Sequence, residues 1–123
     1  MRVKIIKSPN RLKKYRAILD DFRIVDFGAA GYSNYTKHKN PSRMRAYVRR
    51  HGGYISESLA RESDRSKIQS RMLNVSRSNK ENWTADGVGT PGFWARWYLW
   101  SYPSFPQVHK FMKRRFGIIV SHR

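Results

Sequence analysis

The sequence has no cysteine and few acidic residues. Its 123 residues include 26 lysines and arginines but only 8 aspartates and glutamates, so the formal net charge is +18. Without cysteine, a disulfide framework and a thiolate metal site are both excluded. Because carboxylates are so few, most of the positive charge has no internal counter-charge, and we expect the surface to bind an acidic partner.

The sequence also lacks a long apolar run. A membrane-spanning helix needs about 20 mainly apolar residues, and no segment approaches that length. Residues 1–7 include basic residues, but their apolar run is too short for a signal peptide. We therefore expect a soluble protein that stays inside a cell, or one that is assembled into a particle made there.

Aromatic residues, in contrast, are plentiful. Six Phe, seven Tyr and four Trp make up 14% of the chain, and each can bury about 150–250 Å² of surface. A disordered basic tail would be poor in aromatics, and a chain of this length fits one folded unit. We predict a single basic domain over residues 1–123.

The first half of the chain predicts a β-hairpin followed by a helix. Two β-prone runs, residues 14–19 and 22–27, flank Asp20-Asp21, and this arrangement predicts a hairpin with a short turn. Asn40-Pro41 is typical of a helix N-terminus, and Gly52-Gly53 is typical of a helix end. Four residues at helical spacing between these signals predict one packed face: Met44, Tyr47, Val48 and His51.

The second half alternates between polar and apolar segments. Residues 54–80 are rich in Ser, Arg, Asn and Glu, and we interpret them as a polar insertion or arm, extended or helical, within the domain. Residues 93–100 are apolar apart from Arg96, which favours a core position over nucleobase stacking, a membrane interface or a protein contact. A helix over 105–116 and an edge strand over 118–120 are also predicted. The expected fold class is α+β, with an N-terminal hairpin or small antiparallel sheet on about three short helices.

Basic residues near the predicted helices are candidates for binding an anion. Arginine offers a planar fork to phosphate or carboxylate, and a capped helix N-terminus adds partial positive charge. A solvated helix face is the ordinary explanation for such residues, but like charges at this density repel unless a partner neutralises them. The candidate anion-binding or partner-binding residues are Lys37, His38, Lys39, Arg43, Arg45, Arg49, Arg50, Lys110, Lys113 and Arg114.

No motif indicates a catalytic, cofactor or metal site, and we expect none of the three. The four histidines lack metal-ligand spacing, and residues 28–31 lack the third glycine and the Lys-Ser/Thr of a phosphate-binding loop. A hairpin, a Gly-Tyr pair and a helix with Arg and His are faintly similar to small GIY-YIG nucleases, whose first tyrosine motif and helix glutamate are missing here. An enzyme would need a cleft in which His38 or His51 meets a carboxylate and a helix arginine.

Short motifs along the chain form a recognisable set. They are Lys14-Tyr15, Val25-Asp26-Phe27-Gly28-Ala29, Gly31-Tyr32-Ser33, Tyr35-Thr36, His38-Lys39, Arg50-His51, Glu81-Asn82-Trp83, Gly92-Phe93-Trp94 and Leu99-Trp100. The set resembles a family of short basic proteins of unknown function from large nucleocytoplasmic DNA viruses (the phycodnavirus, mimivirus and marseillevirus groups). The resemblance covers about residues 12–51 and 81–117. Family members pass from Arg-His to Asn-Trp within a few residues, which supports an insertion here, and Ser101-Tyr102-Pro103 stands where they often have Asn-Lys-Pro.

The resemblance implies a virus-encoded protein but no transferable activity. A small basic protein without catalytic motifs fits a virion component, and we expect a minor capsid protein that cements the capsid shell after assembly in the host cytoplasm. The expected partners are acidic faces of the major capsid protein and other minor capsid proteins, with DNA or an anionic membrane surface also open, and no small-molecule substrate. The alternative is a basic nucleic-acid-binding protein that packages or condenses viral DNA, whose binding would fall steeply with salt.

Overall fold

The chain builds one mixed β-sheet from four strands. A computed structural model describes residues 1–122. The strands are β1 (Arg2–Lys7), β2 (Lys13–Leu19), β3 (Ile24–Ala29) and β4 (Ile119–His122), and their order in the sheet is β3-β2-β1-β4. The pairs β1–β2 and β2–β3 are antiparallel, whereas β4 runs parallel to β1. The sheet is therefore mixed rather than purely antiparallel. The strand that makes it mixed comes from the C-terminal end of the chain.

The predicted hairpin is confirmed as β2 and β3. Leu19 N–H donates to the Arg23 carbonyl at 2.9 Å to close its turn, and Phe22 has a left-handed φ of +68° within that turn. Arg16 and Asp26 face each other across the two strands and form an ion pair at 2.8 Å. The turn is thus longer than the two-residue link expected from the sequence.

The other two strands, β1 and β4, differ in how well the sequence predicts them. Strand β1 is not predicted, although the buried Val3 and Ile5 alternate with exposed residues, the two-residue period of a half-buried strand. The edge strand expected near residues 118–120 is confirmed as β4.

Within residues 1–122, six α-helices accompany the sheet. They are α1 (Tyr35–His38), α2 (Pro41–Arg50), α3 (Glu57–Arg61), α4 (Arg65–Met72), α5 (Pro91–Trp94) and α6 (Phe105–Phe116), with a 3₁₀ turn over Ala85–Gly87 and a π-helical turn over Ala95–Leu99. The helices predicted from residue 41 and over 105–116 are confirmed. Asn40 begins the first by accepting from Ser42 N–H at 3.0 Å, and Gly117 ends the second with a φ of +66°. The small α+β fold is confirmed, with more helices than the three expected.

No helix within residues 1–122 combines the length and the apolar character needed to span a membrane.

Residues 54–80 form an excursion whose two ends lie side by side. An isolated antiparallel bridge joins Gly53 to Ser78, and Tyr54 N–H donates to the Arg77 carbonyl at 3.2 Å. Between these points the chain forms α3 and α4. Its apolar side chains join the core: Leu59, Ile68, Met72 and Val75. The extended form of this segment is therefore wrong, the helical form is observed, and its interpretation as an insertion stays a prediction.

Aromatic side chains fill the space between the sheet and the helices. Residues 93–100 are buried except the half-buried Ala95, as the sequence favours. Phe27 of β3 packs against Trp94 and Tyr98, with ring centroids 5.9 Å away in each case. Trp97 lies against Phe111 of α6 at 5.4 Å. One aromatic core therefore connects the sheet, the π-helical turn and α6.

Arg96 is fully buried inside this core. Its guanidinium donates to the Trp100 and Met72 carbonyls at 2.6 Å each and to the Val75 carbonyl at 3.2 Å. It also lies 4.3 Å from the Trp97 ring centroid, within cation–π range. Burial lowers the pKa of this guanidinium from its usual value. Arg96 thereby ties the end of α4 to the aromatic segment, a role that its residue type does not predict.

Candidate anion-binding site

An open cleft of about 550 Å³ is lined by the hairpin, by α2 and by the aromatic segment after α5. We call it the basic cleft. Its charged lining residues are Lys13, Lys14, Arg43, Arg50, His51 and Glu81. Concave sites with a few convergent polar groups are where proteins usually bind ligands, so the cleft is the candidate functional site.

Helix α2 supplies two arginines to the cleft. Arg43, Ala46, Tyr47 and Arg50 all line it, and positions i, i+3, i+4 and i+7 share one face of a helix. The arginines stand two turns apart, about 10 Å along the axis. Ala46 is exposed between them, and its short side chain leaves the space open. An extended anion can therefore contact both guanidinium groups.

Strand β2 supplies two lysines, Lys13 and Lys14. Gly28 of the neighbouring strand has a φ of +80°, and a Cβ there would lie 2.9 Å from the Leu99 side chain and 3.2 Å from that of Lys14. Glycine thus lets the Lys14 stem pack closely. Burial, followed by the positive charge of nearby Lys37, lowers the pKa of Lys14. An anion in the cleft would relieve this repulsion.

The four cations of the cleft have no carboxylate partners within residues 1–122. The ion pairs there join Arg16 to Asp26, Arg23 to Asp21, Arg61 to Glu57, Arg71 to Glu62, and His51 to Glu81. Glu81 is the one carboxylate that lines the cleft, and it already pairs with His51. The cleft therefore keeps a positive excess that attracts anions.

His51 and Glu81 form a fixed pair at the edge of this positive charge. His51 Nδ1 lies 2.9 Å from Glu81 Oε2, and Glu81 Oε1 accepts from Trp83 Nε1–H at 2.8 Å. The His51 ring stacks on Tyr47 with centroids 4.1 Å apart, and Tyr47 stacks in turn on Trp100 at 4.1 Å. Hydrogen bonding and stacking together hold the imidazole in one orientation.

Gly92 allows the Glu81 carboxylate to approach the start of α5. A Cβ at this position would lie 2.9 Å from both the Cδ and the Oε1 atoms of Glu81, closer than such atoms normally come. A side chain at residue 92 would push the carboxylate away from His51 and Trp83. Gly92 is therefore part of what positions the pair.

Asn34 places an unsatisfied donor at the cleft. Its Oδ1 accepts from Thr36 N–H at 3.0 Å, which fixes the orientation of the amide. Its Nδ2 is buried and has no hydrogen-bond partner, although the residue is only 1% exposed and lines the cleft. Buried donors normally have an acceptor, so Asn34 is a polar residue of the cleft wall with an unpaired amide.

The structure gathers only part of the surface predicted from the sequence. Arg43 and Arg50 line the cleft. Arg49 is exposed elsewhere on α2. Arg45 donates to the carbonyls of Leu59 and Glu62 at 2.7 and 2.8 Å, so it holds α3 in place. The sequence predicts that the four helix arginines stay in solvent or meet a partner, whereas the Arg45 guanidinium binds carbonyls of its own chain.

The three basic residues before α2 also have separate positions. Lys37 is exposed. Lys39 donates to the Pro103 carbonyl at 2.6 Å, which ties it to a distant loop. His38 accepts from Asn40 N–H at 3.0 Å and packs on Trp100, and burial lowers its pKa. His38 is therefore engaged within the fold, and its role in binding an anion stays a prediction.

The basic residues of α6 lie outside the cleft. Lys110, Lys113 and Arg114 are exposed on the helix surface, and the Arg114 guanidinium lies 5.7 Å from the Phe111 ring centroid. They add to the general positive field of the molecule but not to the local site.

The predicted anion-binding set omits Lys13, Lys14, Asn34, His51 and Glu81, all of which line the cleft. Lys13 precedes the β-prone run over residues 14–19 and Lys14 begins it, and nothing in that run indicates that the two lysines face a cleft. Glu81 is 30 residues from His51, and the closed excursion between them brings the two together. The one available signal was the motif Glu81-Asn82-Trp83, which carries the resemblance without indicating a contact.

Within the described residues, no three His, Asp or Glu side chains come together as a group that could hold a metal ion.

The comparisons with known proteins add one partial match. Residues 3–51 match the model of a family described as "Family of unknown function (DUF5754)". This region runs from β1 to the end of α2, and it includes the lysines and arginines of the cleft but not Glu81. No curated protein and no solved structure matches the chain.

Proposed function

We propose that the protein binds nucleic acid and holds backbone phosphate in the basic cleft. The observation that carries the proposal is the convergence of four cations without carboxylate partners on one concave site. Arg43 and Arg50 contribute bidentate donors suited to phosphate oxygens, and Lys13 and Lys14 contribute point charges. Asn34 adds a neutral polar residue to the lining of the same site.

The remaining charge of the molecule favours a long polyanion over a small one. A net charge of +18 exceeds what one phosphate in the cleft could neutralise. Nucleic acid satisfies many cations at once and releases condensed counterions as it binds. The exposed lysines and arginines outside the cleft would then steer and retain the strand, while the cleft positions one phosphate.

The test is DNA binding as a function of salt concentration. Fluorescence anisotropy of a labelled oligonucleotide would be measured for the wild type and for Arg43→Gln/Arg50→Gln. Each lost phosphate contact lowers the log–log salt slope by about 0.9 on duplex DNA, so the double variant should lose about 2 in slope and about tenfold or more in affinity.

The matched control is Arg49→Gln/Lys113→Gln, which removes the same charge from exposed positions outside the cleft. We expect this control to retain most of the affinity. Equal losses in the two double variants would mean that the charge acts diffusely and that the cleft is not the site. No binding by the wild type at low salt would refute the proposal as a whole.

A structural role in a virus particle is the second candidate. The observation that favours it is the exposure of large apolar side chains at the hairpin turn and beyond, with Phe22 87% and Tyr54 64% exposed. Such residues suit contacts with a major capsid protein or another minor capsid protein. Shell and core fractions of purified particles would test it by mass spectrometry. A fixed ratio to the major capsid protein in the shell would support this role, and recovery with the genome would favour DNA binding.

A further inference from the structure

We propose that the basic cleft also hydrolyses phosphodiester bonds, with His51 as the general base and Glu81 as its positioning residue. The inference rests on the proposed function, because the substrate is the backbone phosphate that the cleft binds. It goes against the expectation that the protein is not an enzyme. An enzyme would need a cleft in which a histidine meets a carboxylate and a helix arginine. His51, Glu81 and Arg50 all line the basic cleft, and His51 contacts Glu81.

The hydrogen bond between His51 and Glu81 determines which ring nitrogen is free. A carboxylate accepts hydrogen bonds and does not donate them, so Nδ1 of the neutral imidazole carries the hydrogen that Glu81 Oε2 accepts at 2.9 Å. The lone pair then lies on Nε2. The side chain of His51 is 38% exposed, so the imidazole is in contact with solvent.

Contacts on both residues of the pair fix the orientation of the His51 imidazole. Glu81 has one oxygen on His51 and the other on Trp83 Nε1, and Gly92 leaves the space that the carboxylate occupies. Tyr47 stacks under the imidazole. Catalytic histidines are typically oriented in this way by a carboxylate on the second nitrogen.

The step proceeds by attack of water on phosphorus. The water oxygen forms a new P–O bond while His51 Nε2 takes a proton from that water. The P–O bond to the leaving sugar oxygen breaks, and the leaving oxygen takes a proton from solvent. His51 then returns its proton to solvent, so one water is consumed per bond. Arg43 and Arg50 stabilise the additional negative charge that develops on the phosphoryl oxygens.

The experiment measures cleavage and binding in parallel on the same preparations. End-labelled single-stranded and duplex DNA and a supercoiled plasmid would be incubated with the whole protein in buffers containing Mg²⁺, Mn²⁺ or a chelator. His51→Gln should lower the cleavage rate by about a hundredfold or more at saturating protein, as expected for loss of a general base, and the affinity measured in parallel sets the protein concentration. His122→Gln, a histidine change outside the cleft, is the matched control.

Glu81 is tested by a readout that a purely structural role would not change. Glu81→Gln should shift the pH profile of cleavage, because the charge that stabilises the imidazolium is lost. If His51→Gln folds poorly, His51→Gly with added imidazole replaces it, and restoration of cleavage by imidazole supports the proposal.

The outcomes separate the two proposals. Binding without cleavage in every buffer overturns this inference and leaves the binding function standing. Cleavage that His51→Gln does not reduce also overturns it, since the activity then comes from elsewhere. Absence of both binding and cleavage overturns the proposed function together with the inference.

Discussion

Replacement of the buried Arg96 by methionine should destabilise the protein by about 3 kcal/mol. Methionine fills a similar volume but donates no hydrogen bond. Within residues 1–122 the carbonyls of Val75 and Trp100 have no hydrogen-bond donor other than Arg96, whereas Met72 O also accepts from Val75 N–H. Two orphaned carbonyls cost about 2–6 kcal/mol together, and removal of a buried charge offsets part of that cost.

The loss is large on the scale of the whole molecule, because domains are stable by only about 5–15 kcal/mol. Urea unfolding followed by tryptophan fluorescence would measure it. Arg49→Met, an exposed arginine changed in the same way, should stay within about 0.5 kcal/mol of the wild type. A loss of less than about 1 kcal/mol for Arg96→Met would refute the reasoning that this guanidinium ties α4 to the aromatic segment.

Two further predictions concern the core and its histidines. Trp97→Ala should cost about 3–5 kcal/mol in the same urea assay, because the ring is fully buried; a stable variant that has lost DNA binding would make the segment a contact surface instead. Burial lowers the pKa of both His109 and His122, and the charge of His122 lowers that of His109 further. The unfolded chain therefore binds protons more readily than the folded one. The free energy of unfolding should therefore be highest above about pH 6.5 and should fall as the pH drops below it. In His109→Gln/His122→Gln, the urea midpoint should fall less with pH than in the wild type. An unchanged pH dependence of the midpoint would contradict this account.

The parts of the fold that the sequence predicts are those governed by local chemistry. Asn40 caps α2, Gly117 ends α6, and the alternating runs around Asp20-Asp21 form the hairpin, because caps, glycines and periodicity act within a few residues. The aromatic segment is core because a small domain has few other large side chains to bury.

The parts that escape prediction depend on distant segments. Arg96 is of a type that is almost never fully buried without partners, and its carbonyl partners become visible only when α4 is in place. The cleft likewise depends on the bridge between Gly53 and Ser78, which joins the two ends of the excursion and brings Glu81 within reach of His51. A periodic pattern on α2 can locate Arg43 and Arg50, but it cannot show that β2 lies opposite them.

The side-chain amide of Asn34 offers the most direct test of the central claim that the basic cleft binds backbone phosphate. Asn34 lines the cleft and its Nδ2 has no hydrogen-bond partner, so its side-chain amide should respond to a phosphate that binds there. In a two-dimensional NMR titration with an oligonucleotide, we predict that the Asn34 NH₂ signals shift together with the backbone amides of Lys13 and Lys14. The exposed residues of α6 should shift little. Tight binding that leaves the Asn34 signals unmoved and shifts those of α6 would contradict the account.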